Sequence, residues 1–424
     1  LGGTFKNIQE SEVKTFLKWS AIGLLIAAGL PAAHAGSADS TGGIKVKSDD
    51  GRFEGVLGGR LQYDYATFEK DLTQTGFSEG PYFRRAYITL SGKVFGEWKY
   101  KLEYDLASLG KTSTCTALPC TTSSSGAAKE MWFGVDVLAG FVKAGHMQPA
   151  YGMEETTSSN EVLFTERPYI SNNLIFKSRE FQNGISYDTH ALPGLMAMVV
   201  VYQANGSNDA DASAVSSTAN GHGYSGRVTY APLMSDSAVV HVGVSYDDVQ
   251  WKTGAGANAP AISGFEVARN SPSLTLIPAT AYDEQKTPAG ELAARVGPFF
   301  IQGEYTKAKY AFVAGPDQSI TSYYAQASVF VTGEAKPYKA DKGVFGNPKP
   351  SSLEWGAVEL KARYDTAKND DAATKPELTL TSFGVNYYFN PNVRIMADYN
   401  MGEAKTTATK DKPKAVVLRG QIAF

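Results

Sequence analysis

The sequence predicts an all-β chain, a transmembrane antiparallel up-and-down β-barrel of 16 strands, and three observations carry that expectation. First, Phe83 to Leu106 alternates. Ala86, Ile88, Leu90, Gly92 and Val94 share one parity against Arg85, Tyr87, Thr89, Ser91 and Lys93. After Phe95-Gly96-Glu97 the pattern resumes, with Trp98, Tyr100, Leu102, Tyr104 and Leu106 against Lys99, Lys101, Glu103 and Asp105. A period of two marks a strand with unlike faces. Second, nearly every later segment repeats this pattern, while no amphipathic helix is available to cover an apolar face. Third, short and long links alternate between the segments. An apolar face without a protein partner needs hydrocarbon, and only helices or closed barrels satisfy their backbone groups there. Beyond the first 35 residues no run of 18 apolar residues occurs, so spanning helices are excluded.

Residues 1–35 read as a cleavable secretory signal, leaving 36–424 as the barrel. Lys6, Lys14 and Lys18 form a basic lead, Ala21 to Leu30 is an apolar run too short to span, and Ala33-His34-Ala35 fits a cleavage site. Thereafter the expected strands fall near 52–67, 82–94, 98–107, 129–138, 141–149, 179–190, 195–205 and 223–231. The second half adds 238–251, 290–296, 299–310, 321–333, 356–366, 377–389, 393–402 and 415–424. Most approach the roughly 9–11 residues that a tilted spanning strand needs.

Short links fall at Phe95–Glu97, Leu138–Gly140, Ala191–Gly194, Ala231–Ser237, Gly297-Pro298 and Asn390–Asn392. Long ones, rich in Gly, Ser, Thr, Asn and Asp, fall at 68–81, 108–128, 150–178, 206–222, 252–289, 311–320, 367–376 and 403–414. That alternation puts both ends of the barrel on the periplasmic side. The exception is 334–355, a long link where a short one is due: either two strands are mispaired or this turn has a task.

Composition narrows the function classes. Aromatic residues make up 12% of the chain, and many stand near expected strand ends, as the interfacial girdles of a barrel require. The net charge of -3 gives no case for a nucleic-acid partner. The final AVVLRGQIAF keeps Val416, Leu418, Gly420, Ile422 and Phe424 on one face, and a terminal strand ending in Phe is similar to the insertion signature of bacterial outer-membrane barrels. Cys115 and Cys120, five positions apart in a Ser/Thr-rich loop of an exported chain, read as a small disulfide loop. His146, His222 and His241 lack metal-ligand spacing, and no nucleophile elbow, haem-attachment motif or phosphate-cradling loop occurs. No enzyme, metal or cofactor is expected.

Several stretches carry a specific resemblance: FRRAYITLSGKVFGEWKYKLEYDLA at 83–107, GHMQPAYGMEETTSSNEVLFTERPYI at 145–170, VFVTGEAKPY at 329–338, WGAVELKARY at 355–364 and FGVNYYFNPNVRIMADY at 383–399. The chain resembles the phosphate- and polyphosphate-selective porins O and P of the Gram-negative outer membrane. The resemblance implies a homotrimer of sixteen-stranded barrels in outer-membrane lipid, with two outer loops and a periplasmic turn folded into each pore. It also implies permeation by small inorganic anions such as phosphate, past arginines at a constriction and toward lysines on the periplasmic side. Guanidinium donors replace the hydration of a phosphate bidentately, and conduction needs binding that is firm yet escapable.

Arg84 and Arg85 match the family's paired arginines; Arg85 is lumenal by parity, whereas Arg84 would have to turn inward near a strand end. Arg167, Lys177 and Arg179 lie on or beside the 150–178 loop, and Arg60 and Arg227 are lumenal by alternation. Lys336, Lys339, Lys342 and Lys349 gather in the 334–355 turn, a candidate point-charge sink for a departing anion. The plainer reading makes these ordinary solvated residues, paired with lumenal carboxylates such as Asp64, Glu103, Asp105 and Glu359. Departures from the family favour a modest preference: 12 Arg stand against 28 Lys, no strand carries an R-x-R-x-R ladder, and Gln148 replaces a frequent Lys. Weakly selective general passage, or a structural or adhesive barrel, are the alternatives.

Overall fold

The computed structural model describes residues 35–39, 43–71, 76–107, 127–176, 180–189, 191–204, 221–251 and 259–424. Residues 1–34 of the expected 1–35 signal, and Cys115, Cys120, Lys177 and Arg179, lie outside them. Sixteen antiparallel strands make the wall. They are β1 (Glu54–Glu69), β2 (Gly80–Val94), β3 (Trp98–Asp105), β4 (Ala127–Val137), β5 (Gly140–Met147), β6 (Gln182–Thr189), β7 (Leu195–Ala204) and β8 (Gly221–Met234). Then follow β9 (Ala238–Gln250), β10 (Tyr282–Val296), β11 (Phe299–Phe312), β12 (Gln318–Phe330), β13 (Ala357–Lys368), β14 (Glu377–Asn390), β15 (Val393–Lys405) and β16 (Lys414–Ala423). Each strand pairs with its sequence neighbours, and β16 closes on β1 from Lys414↔Glu69 to Ala423↔Arg60. Closure leaves no long edge unpaired, which is the condition for a sheet in hydrocarbon.

The burial pattern inverts that of a water-soluble sheet. Along β1, Gln62, Asp64 and Ala66 are buried while Leu61, Tyr63 and Tyr65 are exposed; along β9, His241 and Asp247 are buried while Val242 and Val244 are exposed. Large apolar side chains therefore cover the outside, and charged ones pack inside, as a spanning barrel requires. Outward tyrosines stand in a row across neighbouring strands, with Tyr323 6.4 Å from Tyr305 and 6.3 Å from Tyr364 between ring centroids.

Most strand limits agree with the alternation to within a few residues. The main difference is β10, which begins at Tyr282 rather than near 290. Its first half carries Lys286 and Pro288, residues that read as loop; here the ladder to β11 skips residues 287–288, and the Thr306 hydroxyl donates to the Pro288 carbonyl instead at 2.6 Å. The expected 252–289 loop also contains a hairpin, Ile262–Phe265 with Ser273–Ile277. Gly297-Pro298 makes a two-residue connection with φ 52° at the glycine, the position where a type II′ hairpin turn needs Gly.

The anomalous 334–355 link is not a mispairing, because Phe330 and Glu359 are direct ladder partners. The segment folds back into the barrel. Its two short strands, Tyr338–Lys339 and Val344–Phe345, pair with each other, and Phe345 packs on Phe300 of β11 with ring centroids 4.9 Å apart.

Candidate functional site

Loop backbone drawn into a closed lumen must find hydrogen-bond partners, since each buried unpaired group costs free energy. The inward parity of the wall supplies them to the 148–181 loop. The Ser225 hydroxyl of β8 accepts the Ala150 N–H at 2.9 Å, and the Glu304 carboxylate of β11 accepts the Met153 and Glu154 N–H groups at 3.0 and 2.7 Å, capping a single helical turn, Met153–Thr156. Farther along, Arg394 donates to the Val162 carbonyl (3.1 Å), Lys361 to Leu163 (2.9 Å) and Arg363 to Glu166 (2.9 Å), while Asp398 accepts the Thr165 N–H and Asp365 that of Tyr169. The loop is thus hung across the barrel from β8, β11, β13 and β15.

Two further segments meet it. The Tyr169 hydroxyl donates to Phe265 of the hairpin at 2.8 Å, and Tyr169, Leu174, Ile175 and Phe176 bury against Ile262 and Ile277. From the opposite mouth, the Asn347 amide of the 334–355 turn donates to the Asn160 carbonyl at 2.8 Å, and Lys339 pairs with Glu161. Two segments from one mouth and one turn from the other therefore narrow the lumen together.

At this level the wall presents its cations. Between Gln62↔Arg85 and Tyr63↔Phe83 the register shifts by one residue, a bulge that leaves Arg84 unpaired in the ladder. Bulges re-aim side chains, and this one turns Arg84 inward beside Arg85. Arg84 grips the Glu166 carboxylate through Nε at 2.5 Å and Nη2 at 2.9 Å, and Arg85 donates to Gln62 at 2.9 Å. Burial opposes the charge of Glu166, but the Arg84 guanidinium, aided by Arg419 and Arg85, holds its carboxyl well below the usual range. Arg269 of the hairpin loop lies close enough for the Arg84 charge, with burial second, to lower it from its ordinary value.

The other expected residues are placed as follows. Arg60 donates to Ser159 at 2.5 Å, pairs with Glu103 at 3.1 Å and lies over the Tyr87 ring. Arg167 donates to the Thr157 carbonyl at 2.7 Å within the same loop. Arg227 is only 1% exposed: it contacts Glu291 at 2.6 Å and donates to the carbonyls of Lys342 and Gly343, so it joins the turn to the wall. The four turn lysines differ in their surroundings. Lys336 is buried against Glu359 at 3.1 Å, Lys339 reaches Glu161, and Lys342 and Lys349 are exposed.

Strand parity alone could also have nominated Lys101, Lys143, Arg363, Arg394 and Arg419, whereas Lys129 shares the outward parity of Met131 and Phe133 and is turned inward by a register shift between Met131 and Ala128. Glu130 of β4 pairs with Lys101 and lies in the field of Lys143 and Lys342; Lys129 stands 4.0 Å from Glu180. No sequence period announces Glu166 or Arg269, which sit on loops.

A closed sixteen-stranded wall with an apolar exterior, a charged lumen and in-folded segments defines an outer-membrane diffusion porin. The model of the family "Phosphate-selective porin O and P" matches residues 56–424, and the chain belongs to that family. It is 29% identical to Porin O of Pseudomonas aeruginosa over 397 residues, 84% of this chain and 85% of that protein. Among solved structures it is similar to the anion-selective porin from Comamonas acidovorans, at TM-score 0.53 and 15% identity, covering 87% of this chain and 99% of that one. It is also similar to Vibrio cholerae OmpT in a trimer form, at TM-score 0.54 and 11% identity over 87% and 99% of the two chains.

Proposed function

We propose that this porin passes small inorganic anions such as phosphate with a modest preference over cations, and that it does so as a homotrimer in outer-membrane lipid. The observation that carries the reading is the bulge in β2, which sets two guanidinium groups side by side at the level of the in-folded loop. A permeating ion responds to groups within a Debye length of about 8–10 Å, not to the net charge of the whole chain. Trimeric assembly is supported by the trimer form of the Vibrio cholerae relative in fold.

Weakly selective general passage is the second reading, and the pairing of lumenal cations favours it: Arg60 with Glu103, Arg84 with Glu166, Lys101 with Glu130 and Lys129 with Glu180. Reversal potentials of the purified protein in a potassium chloride gradient separate the two. Chloride preference, reduced by Arg84→Ala with Arg85→Ala, is expected. Potassium preference of the unmodified pore would overturn the anion reading.

A further inference from the structure

We propose that Glu166 is a tethered competitor for the permeating anion, its carboxylate occupying the Arg84 fork that would otherwise receive an oxyanion. The inference deepens the anion reading and rests on it. Carboxylate and phosphate present the same pair of oxygens to a guanidinium, so one fork cannot hold both. Glu166 takes the two-point geometry in full, through Nε and Nη2 of Arg84.

The competitor is held on a short leash. The Glu166 carbonyl accepts from Arg363 at 2.9 Å, and the adjacent Thr165 N–H donates to Asp398 at 2.8 Å, so the backbone behind the carboxylate is pinned to β13 and β15. Arg419, whose own partner is Asp64 at 2.7 Å, stands 3.7 Å away as a second attraction. Arg84 and Glu166 are each 13% exposed, which leaves the fork within reach of the lumen. A side chain fixed this way competes at an effective concentration of about a millimolar or more. A passing anion must therefore displace Glu166, occupy the fork briefly, and yield it again as the carboxylate swings back. Release becomes fast and capture weak, the compromise that conduction demands.

The test measures block of chloride current by inorganic phosphate in reconstituted channels. Glu166→Gln keeps the shape and removes the charge; it should lower the phosphate concentration for half block by about tenfold, in line with loss of a millimolar internal competitor. Removing one negative charge alone would raise chloride and phosphate entry together, so the gain must appear as phosphate block relative to chloride conductance. Pairing Arg84→Ala with Glu166→Gln should abolish the gain. Glu166→Asp, which keeps the charge but shortens the reach by one methylene, should fall between the parent and Glu166→Gln, and it supplies the measurement if the Gln variant fails to fold. An unchanged half-block in both Glu166 variants, or a gain that survives loss of Arg84, would overturn the proposal. The reversal potential of the unmodified pore tests the anion reading separately, because a potassium-preferring parent can still gain or fail to gain phosphate block on Glu166→Gln.

Discussion

Arg227→Met should release the 334–355 turn from the lumen while leaving the barrel intact. In the native arrangement Arg227 meets the Glu291 carboxylate through Nε and Nη2, at 2.6 Å for the shortest contact, and its remaining donors hold the Lys342 and Gly343 carbonyls at 2.8 and 2.7 Å. Among the described residues, Glu291 keeps one other partner, His241 at 2.8 Å. Breaking one side of a buried pair costs about 3–5 kcal/mol, because the other charge stays behind. At about 1.4 kcal/mol per decade, that is a shift of roughly two to three and a half decades. The wall cannot relieve the cost, since β8 and β9 are fixed by a ladder running from His222↔Gln250 to Met234↔Val239. The turn can, because undocking admits water to Glu291 and to the two carbonyls. Single-channel conductance should rise and become noisier, and trypsin should cleave faster after Lys339, which Glu161 holds in the native arrangement. Adding Glu291→Leu removes the orphaned charge but not the need of the carbonyls for a donor, so heat resistance should return while the turn stays loose. A correctly folded Arg227→Met variant with unaltered conductance, noise and trypsin resistance would refute this account.

Glu304→Ala should loosen the 148–181 loop by orphaning the Met153 and Glu154 N–H groups, at about 1–3 kcal/mol each, and should enlarge conductance; Glu304→Gln, which keeps an acceptor, should do less. Gly152→Ala should act in the same direction, since φ 51° with ψ 156° is nearly confined to glycine and a Cβ would lie 2.5 Å from a Glu304 oxygen; unchanged conductance would count against the capping role. Burial, with the Asp411 charge second, pushes the Glu266 carboxyl up to about 7. A raised carboxyl disfavours the seated hairpin once ionised, so seating should weaken as pH rises from near 4.5 through about 7 and level off above. Current noise should therefore be greater at pH 8 than at pH 5, and Glu266→Gln should remove the difference. In unboiled samples on a denaturing gel, a homotrimer should migrate at high mass and collapse to a monomer on heating.

How much of this was legible beforehand depends on whether a period carries it. A spacing of two places Asp64, Arg85 and Glu359 inside and Leu61, Ile88 and Leu360 outside without further information. The inward turn of Arg84 follows from a bulge set by pairing with β1, which no spacing within β2 reveals. The start of β10 is hidden because Lys286 and Pro288 look like loop, and a ladder on its β9 side tolerates them. The turn lysines are close in sequence yet differ in partner, because the buried Glu359 takes Lys336 while Glu161 takes Lys339, and neither carboxylate is marked by the spacing of the lysines. Arg363 and Arg394 announce their inward direction by parity, yet their partners are loop carbonyls, and a backbone group has no sequence identity to read.

The edge of β1 is shared between two partners. Phe424 exchanges both backbone hydrogen bonds with Gly59, at 2.8 and 3.0 Å, and immediately beyond it Ile44 pairs with Leu57 in a short strand, Ile44–Ser48, that continues the edge to Glu54. Residues appended after Phe424 would have to run along Gly58 and Leu57, where that strand already lies. A tag fused after Phe424 would therefore compete with the Ile44–Ser48 strand for one row of hydrogen-bonding groups at the barrel seam. The 369–376 loop, where Asp370, Asp371 and Thr374 are exposed, offers an insertion point for purification that leaves the seam alone.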